Sequence, residues 1–378
     1  MIEFLDLLRN YGLVAGVAFV VTVFATPIAM RVAERTGIMD IPDQKLKPHA
    51  RPIPYLGGTA ILLGWAAALA GSMITGLADW HALLPILLGG AAISAVGLMD
   101  DIRDVSPRFR LAAGALIIGA VILLTGAGLR LVDSLLTPAG IDLPPVISHS
   151  LSFLVGLVIV LGACHSTNLI DGLDGLSTGV TAIISAGFFL LAAFLAVWRH
   201  SQDGDPVRLV LSIAMVGAAI GFLPHNFNPA RIFMGDAGST LLGFNCGMMI
   251  LLFGEKQVFR WVIGALMIFA LPVFDTALAM FRRWRSGRSI FAGDRSHFYD
   301  QLVQRGLSVR QTVLVCYGLS IVFGVLGLLV TLDAMRTRWA LLVYLGVWVV
   351  VGFITWKAGL TDPERRRSDA APATGPSE

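Results

Sequence analysis

The chain has 378 residues, 56% of them hydrophobic and 14% charged, whereas soluble domains carry about 25% charged residues. That composition excludes a water-soluble globular protein, and a net charge of +3 gives no basis for nucleic-acid binding. Cys164, Cys246 and Cys316 are odd in number and far apart, so buried thiols are expected and not a disulfide framework.

Apolar runs of about 20 residues, each long enough to cross a bilayer as a helix, recur from end to end. They cover residues 11–33, 55–75, 82–99, 111–125, 151–164, 175–197, 208–223, 239–253, 258–281, 312–331 and 339–356. This pattern predicts an all-α, polytopic integral membrane protein with about 11 transmembrane helices, ten being the alternative count. One domain spans residues 1–360. The first run ends in Arg31 and Arg35 with no small-residue cleavage site after it, and so reads as a retained helix. In the segment Gly126 to Ser150, alternating apolar residues on either side of Pro138-Ala-Gly140 permit a short hairpin. Residues 361–378, rich in Pro, Ala, Ser and charge, read as a disordered tail.

Lys and Arg divide unequally between alternate loops. One set holds Lys45, Lys47 and Arg51, then Arg103, Arg108 and Arg110, then Arg231, the run Arg282 to Arg310, and Arg365 to Arg367. The positive-inside rule puts these loops in the cytoplasm, with the N-terminus outside and the C-terminus inside. The acids and amides took no part in that assignment, yet they gather in the same loops.

The first loop carries Lys45, Lys47, His49 and Arg51 before Gly57-Gly58. It reads either as ordinary topogenic charge or as a grip on a phosphate. At the end of the third span stand Asp100 and Asp101, in Met-Asp-Asp-Ile-Arg-Asp104. An acid at the bilayer centre costs about 2.5–3.5 kcal/mol, so the pair belongs at the membrane–water boundary, where it suits a divalent cation or a phosphate-bearing substrate. Asn168, Asp171 and Asp174 are spaced by three, which on a helical turn puts them on one face. Asp236 lies in Met234-Gly-Asp-Ala-Gly-Ser239, as a helix cap or as a carboxylate ligand beside free amide donors. The last cytoplasmic loop follows a cationic stretch with Asp294, Arg295, His297, Tyr299 and Asp300, a set suited to sugar or phosphate recognition. Acids and cations together at one membrane face fit a metal–diphosphate complex better than either set alone, and the flanking apolar spans imply that one substrate is a lipid.

Asp100-Asp101, Asn168-Leu-Ile-Asp-Gly-Leu-Asp-Gly175, Met234-Gly-Asp-Ala-Gly-Ser239 and Asp294-Arg-Ser-His297 occur in this order on alternate loops. The ordered set resembles the polyprenyl-phosphate N-acetylhexosamine-1-phosphate transferase family, over residues 11–356. The resemblance implies transfer of a sugar 1-phosphate, GlcNAc-1-phosphate foremost, from a UDP-sugar to undecaprenyl or another polyprenyl phosphate, with release of UMP. It implies Mg²⁺ or Mn²⁺ as cofactor and a bacterial cytoplasmic membrane location at the first membrane step of cell-envelope glycan synthesis. A homodimer is compatible with it. Residue by residue, it makes Asp236 the metal-binding aspartate with Asn168 beside it, and Asp100 and Asp101 the catalytic acidic pair. Asp171 and Asp174 fall on the nucleotide side. Lys47, His49, Arg295 and His297 become substrate-binding residues of the first and last loops. The last loop departs from the family's run of several histidines, reading His297-Phe-Tyr-Asp300. Two other readings compete. Asp100-Asp-Ile-Arg-Asp104 has the spacing of a prenyltransferase motif, but no second Asp-rich motif accompanies it. A transporter would place its polar residues near the midplane in repeated halves, and no repeat is visible.

Overall fold

A computed structural model of the chain describes residues 2–41, 52–103, 105–137, 140–198, 206–254, 258–287, 297–332 and 336–361. Lys47, His49, Arg295 and the tail beyond residue 361 lie outside them.

Long helices dominate: α1 (Ile2–Thr36), α2 (Gly57–Ile74), α3 (Trp80–Arg103), α4 (Pro107–Thr125), α6 (Pro145–Leu169), α7 (Leu176–Trp198), α8 (Pro206–Asn226), α9 (Gly235–Phe253), α13 (Val309–Val330) and α14 (Thr337–Lys357). Short helices α5 (Leu131–Leu136) and α12 (Phe298–Gln304) sit at opposite ends of the bundle. Among the described residues ten helices are long and apolar enough to cross a membrane, and the protein is an integral membrane protein. The span read as continuous over 258–281 is broken. It consists of α10 (Phe259–Ile268) and α11 (Ala270–Arg285), bent by 71°, and with this pair counted as one span the total reaches 11. The hairpin expected in Gly126–Ser150 does not form. Its described residues make the α5 turn and the start of α6, and the Val132 amide bonds to Ser152 Oγ at 3.0 Å where a strand would need a cross-strand partner. A two-residue antiparallel ladder, β1 (Met39–Asp40) with β2 (Ile53–Pro54), closes the first loop instead.

The outward faces of α1, α4, α6 and α14 expose Leu13, Phe24, Leu116, Val158 and Val349, as lipid-facing helices must. α9 is the opposite case, buried nearly all round among α2, α3, α6, α7 and α8. Trp65 Nε1 donates to Asn245 Oδ1 at 3.2 Å, and Ser94 Oγ donates to the Ala237 carbonyl at 3.0 Å. Small residues make this packing feasible, as at other intramembrane helix contacts: a Cβ on Gly97 of α3 would lie 2.5 Å from the Asp236 carbonyl oxygen. The start of α9 is thereby pressed against the end of α3.

Candidate active site

The end of α3, the start of α4, the end of α6 and the start of α9 meet at one end of the bundle. α4 begins at Ser106, whose Oγ accepts from the Phe109 amide at 3.3 Å, with Pro107 in the first turn. That start directs Arg110 toward α3 and α9. Its Nη1 bonds to Asp236 Oδ2 at 2.7 Å and also pairs with Asp100 Oδ2. The other Asp100 oxygen accepts from the Val105 amide at 2.8 Å. Asn168, in the last turn of α6, donates from Nδ2 to Asp236 Oδ1 at 2.8 Å and to Ser239 Oγ at 3.0 Å.

Asp101 has a different task. Its two oxygens accept from the Asp236 and Ala237 amides at 2.8 and 3.1 Å, so a carboxylate from α3 satisfies the free N–H groups and positive dipole end of α9. Asp236 and Ser239 are not caps: the residue before the helix is Met234, without a side-chain bond. Gly235, at φ +69°, supplies the turn that lets Asp101 in, since a Cβ there would lie 2.5 Å from Asp101 Oδ2.

The spacing of Asn168, Asp171 and Asp174 does not put them on one helical face. α6 ends at Leu169 and α7 starts at Leu176, and the residues between form turns because Gly172 and Gly175 interrupt the helix. Asn168 faces Asp236, whereas Asp174 Oδ2 accepts from Asn228 Nδ2 and the Ala230 amide, both at 2.9 Å. Asp174 therefore fastens the 227–234 loop onto the 170–175 turn. Asp171 takes no hydrogen bond to its carboxylate from the described residues. Burial, followed by the charges of Asp236, Asp101 and Asp174, pushes it up to about 8. Tyr55, edge-on to Phe233 with centroids 6.4 Å apart, borders the same acids. Burial and the charges of Asp101, Asp236 and Asp171 raise its phenol well above the ordinary value. The loop before α9 is held to the first loop by Phe233 N to Pro54 O at 2.9 Å and Gly57 N to Phe233 O at 2.9 Å.

His297 is buried at the start of α12, its Nδ1 2.6 Å from Asp275 Oδ2. It reaches the centre through Tyr299, whose hydroxyl donates to the Leu169 carbonyl at 3.0 Å.

Three residues of this arrangement escaped the sequence reading. Arg110 was indistinguishable from a topogenic charge, and Tyr55 from loop filler. Asp275 did carry a signal: a lone acid inside an apolar span is a functional candidate by default.

The donor set is all oxygen, which fits a hard divalent cation. Among the described residues, the carboxyls of Asp100, Asp101, Asp171 and Asp236 gather beside one guanidinium, that of Arg110, and the Asp171 carboxyl takes no hydrogen bond. Among the described residues, no three acidic, histidine or cysteine side chains close around one point. Beside the acids opens a narrow cleft whose walls include Ile93, Val96, Ile118 and Leu161 and whose polar end includes Arg110, Asn168 and Asp236.

Fold and site together define a polytopic membrane enzyme with an ionic centre at one face and an apolar approach to it. A profile of glycosyl transferase family 4 matches residues 83–254, a range that holds Asp100 through Asp236. A probable undecaprenyl-phosphate N-acetylglucosaminyl 1-phosphate transferase of Bacillus subtilis is 31% identical over 314 residues, covering 82% of this chain and 83% of that protein. Decaprenyl-phosphate N-acetylglucosaminephosphotransferase of Mycobacterium tuberculosis is 31% identical over 332 residues, covering 82% and 80%. Undecaprenyl-phosphate alpha-N-acetylglucosaminyl 1-phosphate transferase of Yersinia pestis is 29% identical over 309 residues, covering 79% and 80%. The chain belongs to this family of membrane glycosyl transferases.

Proposed function

We propose that the protein transfers GlcNAc-1-phosphate from UDP-GlcNAc to undecaprenyl or a similar polyprenyl phosphate, yielding a polyprenyl-diphosphate sugar and UMP. The observation that carries this reading is the convergence of Asp100, Arg110, Asn168 and Asp236 at the polar end of an apolar cleft. The names of the relatives support the same substrates. The site faces the cytoplasm of a bacterial cytoplasmic membrane, with the N-terminus outside, as the Lys and Arg distribution favours.

Phosphoryl transfer needs in-line positioning and neutralisation of charge more than covalent help from the protein. The lipid chain approaches along the apolar wall of the cleft and brings its phosphate to the acids. An oxygen of that phosphate attacks the β-phosphorus of the donor, and the bond from that phosphorus to the oxygen of UMP breaks. Asp236 and Asp171, with Asn168 orienting Asp236, would hold Mg²⁺ or Mn²⁺, which would supply charge neutralisation on the diphosphate. Arg110 adds a guanidinium within reach of the phosphates. Asp101 fixes the start of α9 and so the place of Asp236. Asp100 holds Arg110 and is the acid of the pair nearer the reacting charges. Asp174 shapes the nucleotide side through the 227–234 loop, and Lys47, His49, Arg295 and His297 complete the donor site from the first and last loops. Direct attack requires no covalent sugar-phosphate adduct on an aspartate, and trapping such an adduct would overturn it.

The deciding assay supplies purified protein with undecaprenyl phosphate, Mg²⁺ and a panel of UDP-sugars, and scores UMP. UMP release dependent on the lipid phosphate is the expected result. Diphosphate release from a prenyl diphosphate, with no UMP from any sugar nucleotide, would establish the prenyltransferase instead.

A further inference from the structure

Asp275 has no place in the chemistry above. It lies in α11, within the bent span, at 1% exposure. A carboxylate buried among apolar helices is costly unless it is fully partnered. Both of its oxygens are in use: Oδ2 accepts from His297 Nδ1 and Oδ1 from the Phe298 amide, each at 2.6 Å. An ionised carboxylate only accepts, so with Asp275 in that form Nδ1 carries the shared proton, and Nε2 is the ring nitrogen left for another partner. The ring also stacks on Tyr299, with centroids 5.5 Å apart and planes 9° apart. Burial, then the charges of Asp300, Asp275 and Asp171, push the Tyr299 phenol well above its ordinary value, so its hydroxyl stays a donor to Leu169 O, one residue beyond Asn168. The His297 amide donates to Asp300 Oδ2 at 3.2 Å. Backbone, ring face and Nδ1 are thus all fixed, next to the turn that carries Asn168 and Asp171.

We infer that Asp275 is a positioning residue: together with Tyr299 it sets the tautomer and direction of His297, so that Nε2 is presented to the sugar-phosphate half of the donor. The inference rests on the transferase reading for the identity of that donor, though the pairing itself does not. An imidazole whose tautomer is set by a carboxylate on its other nitrogen is a recurrent way to aim a ring at a ligand. A purely structural carboxylate would serve the start of α12 through the Phe298 amide and leave the donor untouched.

Two measurements on the full-length protein separate these roles. Nitrogen-15 histidine spectra, with H297Q used to assign the signal, read the tautomer directly. The expected result is a proton on Nδ1 of His297 in the wild type, lost from that nitrogen in D275A. In UMP-release kinetics, D275N keeps the side-chain shape and should raise KM for the UDP-sugar about tenfold or more, the scale seen when a ring-orienting partner is removed, with a smaller change in kcat. The double variant D275N/H297Q should be no worse than H297Q alone. An Nε2–H tautomer in the wild type overturns the inference, and so does an unchanged KM in D275N. If D275N does not fold, the wild-type spectrum decides the pairing and Y299F, which keeps the ring but frees it from Leu169, supplies the KM comparison. Absence of UMP from every UDP-sugar with the wild type would instead sink the transferase reading and the donor half of this inference, while the spectrum still judges the pair.

Discussion

Asp236 is the residue on which most of the others act. Arg110 and Asn168 hold its two oxygens, and Asp101 holds its amide. Asp236→Ala is expected to lower kcat by about 10³-fold or more, the scale for removal of a group that stabilises transition-state charge, while the protein still inserts and purifies as a folded monodisperse species. Asn168→Ala frees one Asp236 oxygen and should cost about 10–100-fold in activity or in Mg²⁺ affinity; an activity equal to wild type would remove Asn168 from the site. Asp171 gives a pH prediction. Its carboxyl is raised to about 8, so the folded protein binds more protons there than the unfolded chain between pH about 4 and about 8, and stability falls as pH rises through that window. Asp171→Asn should therefore raise the melting temperature of the metal-free protein, by a margin that grows up to pH about 8. Mg²⁺ added at pH 7 should release protons from the wild type and fewer from Asp171→Asn, as read by calorimetry in buffers of different ionisation enthalpy.

At the scale of elements, the site depends on how closely α3, α6 and α9 approach. Gly97 lets the α3 backbone touch the Asp236 peptide. Gly97→Leu should force the start of α9 away from Asp101, destabilising the protein by about 1–3 kcal/mol, typical of overpacking. Melting measurements will show this, and activity should fall with it because Asp236 moves. The break between α10 and α11 belongs to the same scale. Bending after Ile268 brings Asp275 to the start of α12, where it meets His297. Hydropathy sees 258–281 as one apolar stretch, since a bend changes direction without changing composition. The same blindness affected the 168–174 segment. A three-residue spacing implies a shared face only if the helix continues, and the glycines end it.

Over the whole molecule, the loops that carry the acids, the amide and the histidine lie at one end of the bundle, tied by Asp174 to the 228–230 turn, by Tyr299 to Leu169, and by Gly57 to Phe233. The topology makes a prediction that needs no substrate. The native cysteines Cys164, Cys246 and Cys316 are all buried, so an impermeant thiol reagent will report on introduced ones. His81→Cys, exposed at the start of α3, should be labelled from outside intact cells. Arg103→Cys, exposed at the other end of that helix, should be labelled only after the membrane is opened. The reverse pattern would invert the orientation given by the positive residues.

The sequence alone determined the helical membrane architecture, because bilayer thickness fixes the length of an apolar run whatever its neighbours are. It also brought out Asp100, Asp101, Asn168 and Asp236, because polar groups are costly inside such runs and so collect in the short segments at their ends. The tertiary structure decided how the work is divided among them. Asp101 caps α9, Asp174 pins a loop, and Arg110 and Asp275 acquire partners 126 and 22 residues away. Such roles depend on which backbone amide or side chain a carboxylate meets across helices, and no spacing within a single helix encodes that meeting.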